Sequence, residues 1–112
     1  MPFERLFKRL ESHGIDGNLL DWIKQWLSGR RQRVCINREY SDRKDATSGV
    51  PQGSVLGPVL FTIYINDLDV SLVSKIGKFA DDTKLCKGVK DQSDVENLQQ
   101  DLCKLELWAK EW

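Results

Sequence analysis

The sequence has no excess of charge and no long hydrophobic run, and both absences exclude classes of function. Its 17 Lys and Arg residues balance 17 Asp and Glu residues, so any contact with nucleic acid must come from local clusters. The longest apolar-rich stretch, residues 55–70, is too short to span a bilayer and is interrupted by Asn66, Asp67 and Asp69. The charged residues that follow Met1 do not resemble a signal peptide. We therefore expect a nuclear or cytoplasmic protein with no membrane partner.

Cysteine and histidine are too few and too scattered for a zinc site. Cys35, Cys86 and Cys103 form no Cys-x-x-Cys pair, and the single histidine, His13, stands at the end of a predicted helix. Unpaired cysteines in an intracellular protein are expected to be free, buried thiols. His13 is expected to be structural.

The sequence does contain enough apolar residues for a folded domain, or for part of one. Its 112 residues are 40% hydrophobic and include four Trp, which argues against disorder. A chain of this length can bury about two-thirds of its unfolded surface.

Hydrophobic spacing predicts two helices within residues 1–29. They end at Gly14 and Gly29 and form a helical hairpin. Trp22 and Trp26 lie on the apolar stripe of the second helix, so they are expected to be core residues rather than platforms for base stacking.

Two further helices are predicted, at residues 56–68 and in the last segment, residues 91–112. Pro58 fits the first turn of the former, where its missing N–H costs little. Acidic residues at 91–94 cap the latter. Its stripe is expected to be core in preference to a partner interface, and it consists of Val95, Leu98, Leu102, Leu105, Ala109 and Trp112.

Strand-forming residues occur in two other places. Residues 31–36 are expected to form one strand with one wet face, followed by a turn and an edge strand within residues 37–45. Residues 75–80 and 83–87 are expected to be strands joined by the two-residue loop Asp81-Asp82.

The adjacent carboxylates of Asp81 and Asp82 allow two interpretations. Asp is common in turns because its side chain bonds nearby backbone N–H groups, so a solvated turn is the simpler one. Two like charges about 4 Å apart, however, repel by roughly 1 kcal/mol in water and by about 4 kcal/mol at an effective dielectric of 20. A cation would relieve that repulsion, and hard oxygen ligands suit Mg²⁺. The pair alone leaves both interpretations open.

A second stretch favours the metal site. The segments S-G-V-P-Q-G-S-V-L-G-P (residues 48–58) and K-F-A-D-D-T-K-L (residues 78–85) resemble the conserved loop and metal-binding hairpin of non-LTR retrotransposon reverse transcriptases, the LINE, CR1-like and jockey-like group. Similar segments run through nearly the whole chain: P-F-E-R-L, W-I-K-Q-W-L-S-G-R-R-Q-R-V, Y-I-N-D-L and the closing L-x-x-W-A-x-x-W. The resemblance implies an α+β fold, a partial polymerase palm with some fingers, in which helices pack on a small antiparallel sheet with Asp-Asp at a hairpin tip.

The resemblance also implies the chemistry. Asp81 would be the principal Mg²⁺ ligand with Asp82 beside it, and both would be catalytic in the transfer of dNTPs to the 3′-hydroxyl of a DNA primer on an RNA template. The loop beside the nucleotide and the template–primer would be formed by Gly49, Pro51, Gln52 and Gly53. Cations after the second helix would either offset its dipole or contact phosphates, and both readings stay open for Arg30, Arg31 and Arg33.

One part of the family's palm has no counterpart. Its third carboxylate lies on a strand shortly before the segment that matches P-F-E-R-L, and no Asp here takes that place by position. That strand would pair beside the Asp81-Asp82 hairpin. We therefore expect a partial reverse transcriptase domain over residues 1–112 that is inactive alone and binds Mg²⁺ weakly or not at all.

The expected parts are a helical hairpin (1–29), a strand region (30–47), the loop and its helix (48–70), the Asp-Asp hairpin (75–88) and a C-terminal helix (91–112). Two alternatives remain. One is a non-catalytic module that binds RNA, or binds a protein through the helix of residues 95–112, and the other is a retroelement relic with no selected role.

Overall fold

The first two helices form where their hydrophobic spacing predicts them. In the computed structural model, which describes residues 1–112, α1 spans Phe3–Ser12 and α2 spans Gly17–Leu27. Gly14 follows α1 with φ +78°, a conformation that glycine adopts without strain. The two helices pack together, and their buried apolar residues are Leu6, Leu10, Leu20, Ile23 and Leu27.

The prediction that Trp22 belongs to the core is wrong. Its side chain is 53% exposed, and its ring stacks on that of Trp26, with the ring centroids 6.1 Å apart. The buried residues of α2 are Leu20, Ile23 and Leu27 instead.

After α2 the chain forms an extended hairpin, residues 30–46, which we call the arm. Its four two-residue strands are β1 (Arg31–Gln32), β2 (Cys35–Ile36), β3 (Glu39–Tyr40) and β4 (Lys44–Asp45). Strand β1 pairs with β4 and β2 pairs with β3, both antiparallel. The hydrogen bond from Ala46 N to Arg30 O, 2.8 Å long, closes the base of the arm.

A bulge divides the strand predicted at residues 31–36. Two residues, 33–34, lie opposite three, 41–43, so the ladder cannot continue without a break. At the break the Val34 N–H donates to the Ser41 hydroxyl at 2.9 Å in place of a strand partner. The expected half-buried face is also absent, because residues 31–45 are all exposed.

The third helix is shorter than predicted. Helix α3 spans Leu56–Tyr64, and the chain then continues in turns whose N–H groups bond the carbonyl three residues earlier, as in Asn66 N to Ile63 O and Leu68 N to Ile65 O. Asn66 and Asp67 stand at this change, and short polar residues of this kind have lower helix propensity than the apolar residues of α3.

By contact density the chain divides into two compact units, Met1–Leu60 and Phe61–Trp112. The second unit contains a hairpin of β5 (Lys75–Phe79) and β6 (Asp82–Cys86) and the longest helix, α4 (Gln92–Glu111). The predicted cap of α4 is confirmed, because the Asp91 carboxylate accepts a hydrogen bond from Asp94 N at 3.0 Å. None of the four helices combines the length and the hydrophobicity needed to cross a bilayer.

The buried face of α4 is centred on a carboxylate rather than on the predicted apolar stripe. Asp101 is its only fully buried residue. Leu98 and Leu105, about one turn to either side of Asp101, and Trp112, just after the helix, are half-buried. The other three stripe residues are exposed, which contradicts a core role for them: Val95, Leu102 and Ala109.

The prediction of buried cysteines is also wrong. The thiols are free, but all three are exposed. Cys35 lies on the arm, Cys86 ends β6, and Cys103 stands two positions from Asp101 and so lies off the buried face of α4.

Candidate functional site

The two adjacent aspartates lie at the closed end of the β5–β6 hairpin. Phe79 pairs with Asp82, so the two-residue loop is Ala80-Asp81, one position before the loop predicted from the sequence. Asp82 is therefore the first residue of β6. Ala80 has φ +50°, and a positive φ at the first loop position matches the backbone twist that tight hairpins require.

The carboxylates of Asp81 and Asp82 are both exposed. Their oxygens are of the kind that Mg²⁺ prefers. No group of three or more His, Cys, Asp or Glu side chains is positioned to hold a metal ion. The pair thus fits a metal site in the chemistry of its donors but not in their number, and a complete site would need ligands from elsewhere.

One ion pair connects the hairpin to the turns that follow α3. Lys78 Nζ of β5 lies 2.8 Å from Asp69 Oδ1. The hydrogen bond from Lys78 is the largest cause that lowers the pKa of Asp69 below its ordinary value. Both side chains are partly exposed, so water screens the pair and its contribution to stability is small.

A buried carboxylate holds the base of the hairpin. Asp101 of α4 is fully buried and accepts hydrogen bonds from the two backbone N–H groups just before β5, Ser74 N at 2.8 Å and Val73 N at 3.1 Å. Lys104 Nζ lies 3.1 Å from the same carboxylate and also donates to Ser71 O at 2.8 Å. Helix α4 is therefore tied to the start of β5, the strand that leads to the aspartate pair.

The surroundings of Asp101 keep it ionised. Its pKa lies well below the ordinary value of 3.8, chiefly through the Ser74 hydroxyl, although that oxygen has no hydrogen-bond partner of regular geometry. Burial acts in the opposite direction, and the Ser74 N–H, Lys104 and the Val73 N–H lower the pKa further. Of these groups, the two backbone N–H groups make hydrogen bonds of regular geometry to the ionised carboxylate.

Aromatic contacts extend this attachment along α4. The rings of Tyr64 and Trp108 meet edge to face with centroids 5.9 Å apart. Trp108 Nε1 donates to Asp67 Oδ1 at 3.2 Å, and the Tyr64 hydroxyl donates to the Trp112 carbonyl oxygen. These contacts join the end of α3 to the last turns of α4.

Sequence reasoning did not identify Asp101 or Lys104. The available signal was the position of Asp101, three residues after Leu98 and four before Leu105, which places it on the same helix face as both. An acidic residue at such a position is buried only with partners. Those partners are backbone N–H groups about 27 residues away, which no local pattern indicates.

In the first unit, the loop before α3 is held at Gly49. Gly49 N donates to Met1 O at 2.9 Å, and Gly49 O accepts from Arg30 Nη2 at 2.7 Å. Gln52 and Gly53 are exposed, and Gly53 has φ +81°. Gly49 is thus committed to the fold, whereas Gln52 and Gly53 are accessible.

The entry to α3 explains another glycine of the loop. Ser54 Oγ donates to Pro51 O at 2.7 Å and accepts from Gly57 N at 2.9 Å. A Cβ on Gly57 would lie 2.7 Å from Ser54 Oγ and 3.0 Å from Pro51 O. Position 57 therefore requires glycine so that this turn can form.

The three arginines considered for phosphate contact have different environments. Arg30 donates to Leu27 O at 3.0 Å as well as to Gly49 O. Arg31 Nε lies 3.2 Å from Asp45 Oδ1 in an exposed pair. The guanidinium of Arg33 lies over the Tyr40 ring, 3.9 Å from its centroid. Arg30 therefore bonds two backbone carbonyl groups of the first unit, and Arg31 and Arg33 lie on the exposed arm.

Comparison with known proteins identifies related sequences. The family model described as Reverse transcriptase (RNA-dependent DNA polymerase) matches residues 1–112. The chain is 36% identical over 96 residues to the "Probable RNA-directed DNA polymerase from transposon X-element" of Drosophila melanogaster. It is 33% identical over 99 residues to the "RNA-directed DNA polymerase from mobile element jockey" of the same species.

Each of these two matches covers 80% of this chain but 11% of the relative, so the chain spans about a tenth of the length of the curated relatives it matches. A third relative, the "Retrovirus-related Pol polyprotein from type-1 retrotransposable element R1" of Bradysia coprophila, is 36% identical over 78 residues, which is 65% of this chain and 8% of that protein. No solved structure gives a significant match.

Proposed function

Because the chain belongs to the reverse transcriptase family, we propose that it forms part of the palm of an RNA-directed DNA polymerase, with Asp81 and Asp82 on the metal-binding hairpin. The observation that supports this most directly is the pair of exposed carboxylates at the tip of a hairpin whose base is tied to α4 by Asp101. Carboxylates on a short, anchored hairpin keep their positions relative to a bound primer end.

In this proposal each part of the chain has one task. Asp81 and Asp82 bind Mg²⁺, which in phosphoryl transfer neutralises charge on the phosphates and activates the primer 3′-hydroxyl. The exposed Gln52 and Gly53, with Pro51, lie beside the RNA template, the DNA primer and the dNTP, where glycine allows close approach of backbone. The protein works in the nucleus or the cytoplasm.

We further propose that these 112 residues alone bind Mg²⁺ weakly and do not extend a primer. Two adjacent carboxylates supply only part of the ligand set that a two-metal site uses. Mg²⁺ also gives up its water reluctantly, so two exposed ligands retain it poorly.

Paramagnetic metal binding tests the assignment. Mn²⁺ titrated into the isotope-labelled chain should broaden the amide signals of residues 80–83 first, and Asp81→Asn should remove that effect. Asp21→Asn, which removes an exposed carboxylate of α2, is the matched control and should leave the broadening unchanged. Broadening that is equal in Asp81→Asn and in the unaltered chain would contradict the assignment.

The same variant tests the inactivity proposal. Primer–template, dNTPs and Mg²⁺ should give no extension with the unaltered chain. Efficient extension that Asp81→Asn abolishes would refute the inactivity and support the catalytic assignment at once.

A further inference from the structure

The arm concentrates positive charge in a chain that is neutral overall. Residues 30–46 contain six Arg or Lys and three Asp or Glu, a net charge of +3, so the rest of the chain carries −3. Residues 31–45 are all exposed. The arm is therefore a local basic surface of the kind that the overall composition conceals.

Part of this charge is free to act on a partner. Arg30 and Arg31 are engaged by carbonyl oxygens and by Asp45. In contrast, no carboxylate pairs with the last three cations of the arm: Arg38, Arg43 and Lys44.

The tip of the arm carries one of these cations in a strained position. Asn37 and Arg38 have φ +51° and +69°, the pair of positive values that a two-residue type I′ turn requires. Asn tolerates this region and Gly is favoured at the second position, whereas Arg adopts it only with strain. The sequence thus presents a cation where local structure favours glycine.

An aromatic ring lies among the cations. Tyr40 is 58% exposed, and Arg33 stacks on its ring. Beside this pair is an open depression of about 580 Å³ lined by Gln32, Val34, Ser41, Asp42, Lys44 and Arg33 itself. Its lining offers an amide, a hydroxyl and two cations, together with one carboxylate, that of Asp42.

We propose that the arm binds single-stranded nucleic acid, with one base stacked on the Tyr40–Arg33 pair and with Arg38, Arg43 and Lys44 on its phosphates. Charge complementarity favours a polyanion over a protein partner. An exposed ring with arginine favours a single strand over a duplex, because only unpaired bases offer their faces for stacking. The choice of a nucleic acid rests on the proposed polymerase function, but the surface shares no residue with the Asp81-Asp82 hairpin.

Fluorescence anisotropy with labelled oligonucleotides of about 15 nucleotides tests this surface. DNA and RNA single strands are compared with a duplex of the same sequence, in EDTA so that no metal is held by the hairpin. Single strands of either kind should bind more tightly than the duplex. Tyr40→Ala should weaken binding about fivefold or more, whereas Tyr40→Phe, which keeps the stacking face, should bind like the unaltered chain.

The phosphate contacts are tested by salt dependence. Log K falls with log salt by about 0.7 for each phosphate contact to a single strand, so each lost contact makes this negative slope shallower by about 0.7. Arg38→Ala combined with Arg43→Ala should therefore make the slope shallower by about 1.4. Lys8→Ala combined with Lys90→Ala, which removes two exposed cations outside the arm, should leave the slope unchanged.

Loss of binding in the arm variants should not result from unfolding, because residues 31–45 are exposed. These variants should melt within about 2 °C of the unaltered chain. The proposal would be overturned by any one of three results: unchanged affinity in Tyr40→Ala, tighter binding to the duplex, or equal salt slopes in the two double variants. Such results are expected if the arm binds another protein instead of a nucleic acid. Asp81→Asn should bind oligonucleotides normally in EDTA. A negative result for the arm therefore does not count against the metal site at Asp81 and Asp82. A negative result in the Mn²⁺ titration likewise does not count against nucleic-acid binding by the arm.

Discussion

At the scale of single residues, backbone strain lies beside the proposed metal ligands. Ala80 has φ +50° at the closed end of the β5–β6 hairpin, directly before Asp81. A side chain with a Cβ is disfavoured there by about 1–2 kcal/mol relative to ordinary backbone. Such strain persists only where the surrounding structure enforces it, and it occurs often at functional sites.

We expect Ala80→Gly to stabilise the second unit by roughly 0.5–1 kcal/mol, because relief of the strain exceeds the extra entropy of glycine in the unfolded chain. The melting temperature should rise by about 2–6 °C. Ala109→Gly is the matched control in α4, where the same substitution at ordinary helical backbone should cost about 1 kcal/mol. Equal changes in the two variants, measured by thermal denaturation, would show that Ala80 is not strained.

At the scale of elements, helix α4 shows what the sequence could and could not predict. Its existence and its Asp91 cap followed from a long periodic pattern and a local capping residue. Which side is buried did not follow, because Asp101 accepts from backbone N–H groups far away in the chain. The arm behaves similarly: its strand residues were identified, but the bulge at 41–43 depends on pairing across the hairpin.

The revised face of α4 makes a testable distinction between two leucines of the predicted stripe. Leu98 is half-buried and Leu102 is 47% exposed. Leu98→Glu should therefore lower the melting temperature by more than about 5 °C, since it places a charge against packed side chains. Leu102→Glu should stay within about 3 °C of the unaltered chain.

If the melting temperature falls by a similar amount in the two variants, Leu102 is part of the core, as the apolar stripe in the sequence predicts. If Leu102→Glu instead leaves stability intact and abolishes association with a partner, the exposed side of α4 is an interface, as the non-catalytic alternative requires. Analytical ultracentrifugation of both variants separates these outcomes.

At the scale of the whole molecule, one buried charge should make stability depend on pH. The folded-state pKa of Asp101 is depressed, so its contribution is fully present above the unfolded value, close to 3.8, and is lost as the pH falls through the folded value. The exposed Asp69 and the half-buried Asp94, whose pKa values are also lowered, contribute in the same direction.

Asp101→Asn should accordingly melt at least about 5 °C below the unaltered chain at pH 7, the shift that accompanies the loss of about one buried hydrogen bond. The difference should narrow as the pH falls below about 4, because the unfolded chain takes up a proton at this carboxylate before the folded chain does. Asp21→Asn serves as control and should follow the unaltered chain at every pH. A difference that stays constant from pH 7 to pH 2 would mean that the charge of Asp101 does not contribute.

The base of the β5–β6 hairpin is held at Val73 and Ser74 by Asp101, and β5 then extends five residues, about 16 Å, to the closed end. The exposed pair of Lys78 and Asp69 is a weak attachment partway along, and Lys78 and Ala80 also line a small depression together with residues of α3 and of the turns after it. A small rotation at the base would displace the closed end by the largest distance, so the positions of Asp81 and Asp82 depend in part on a carboxylate of α4.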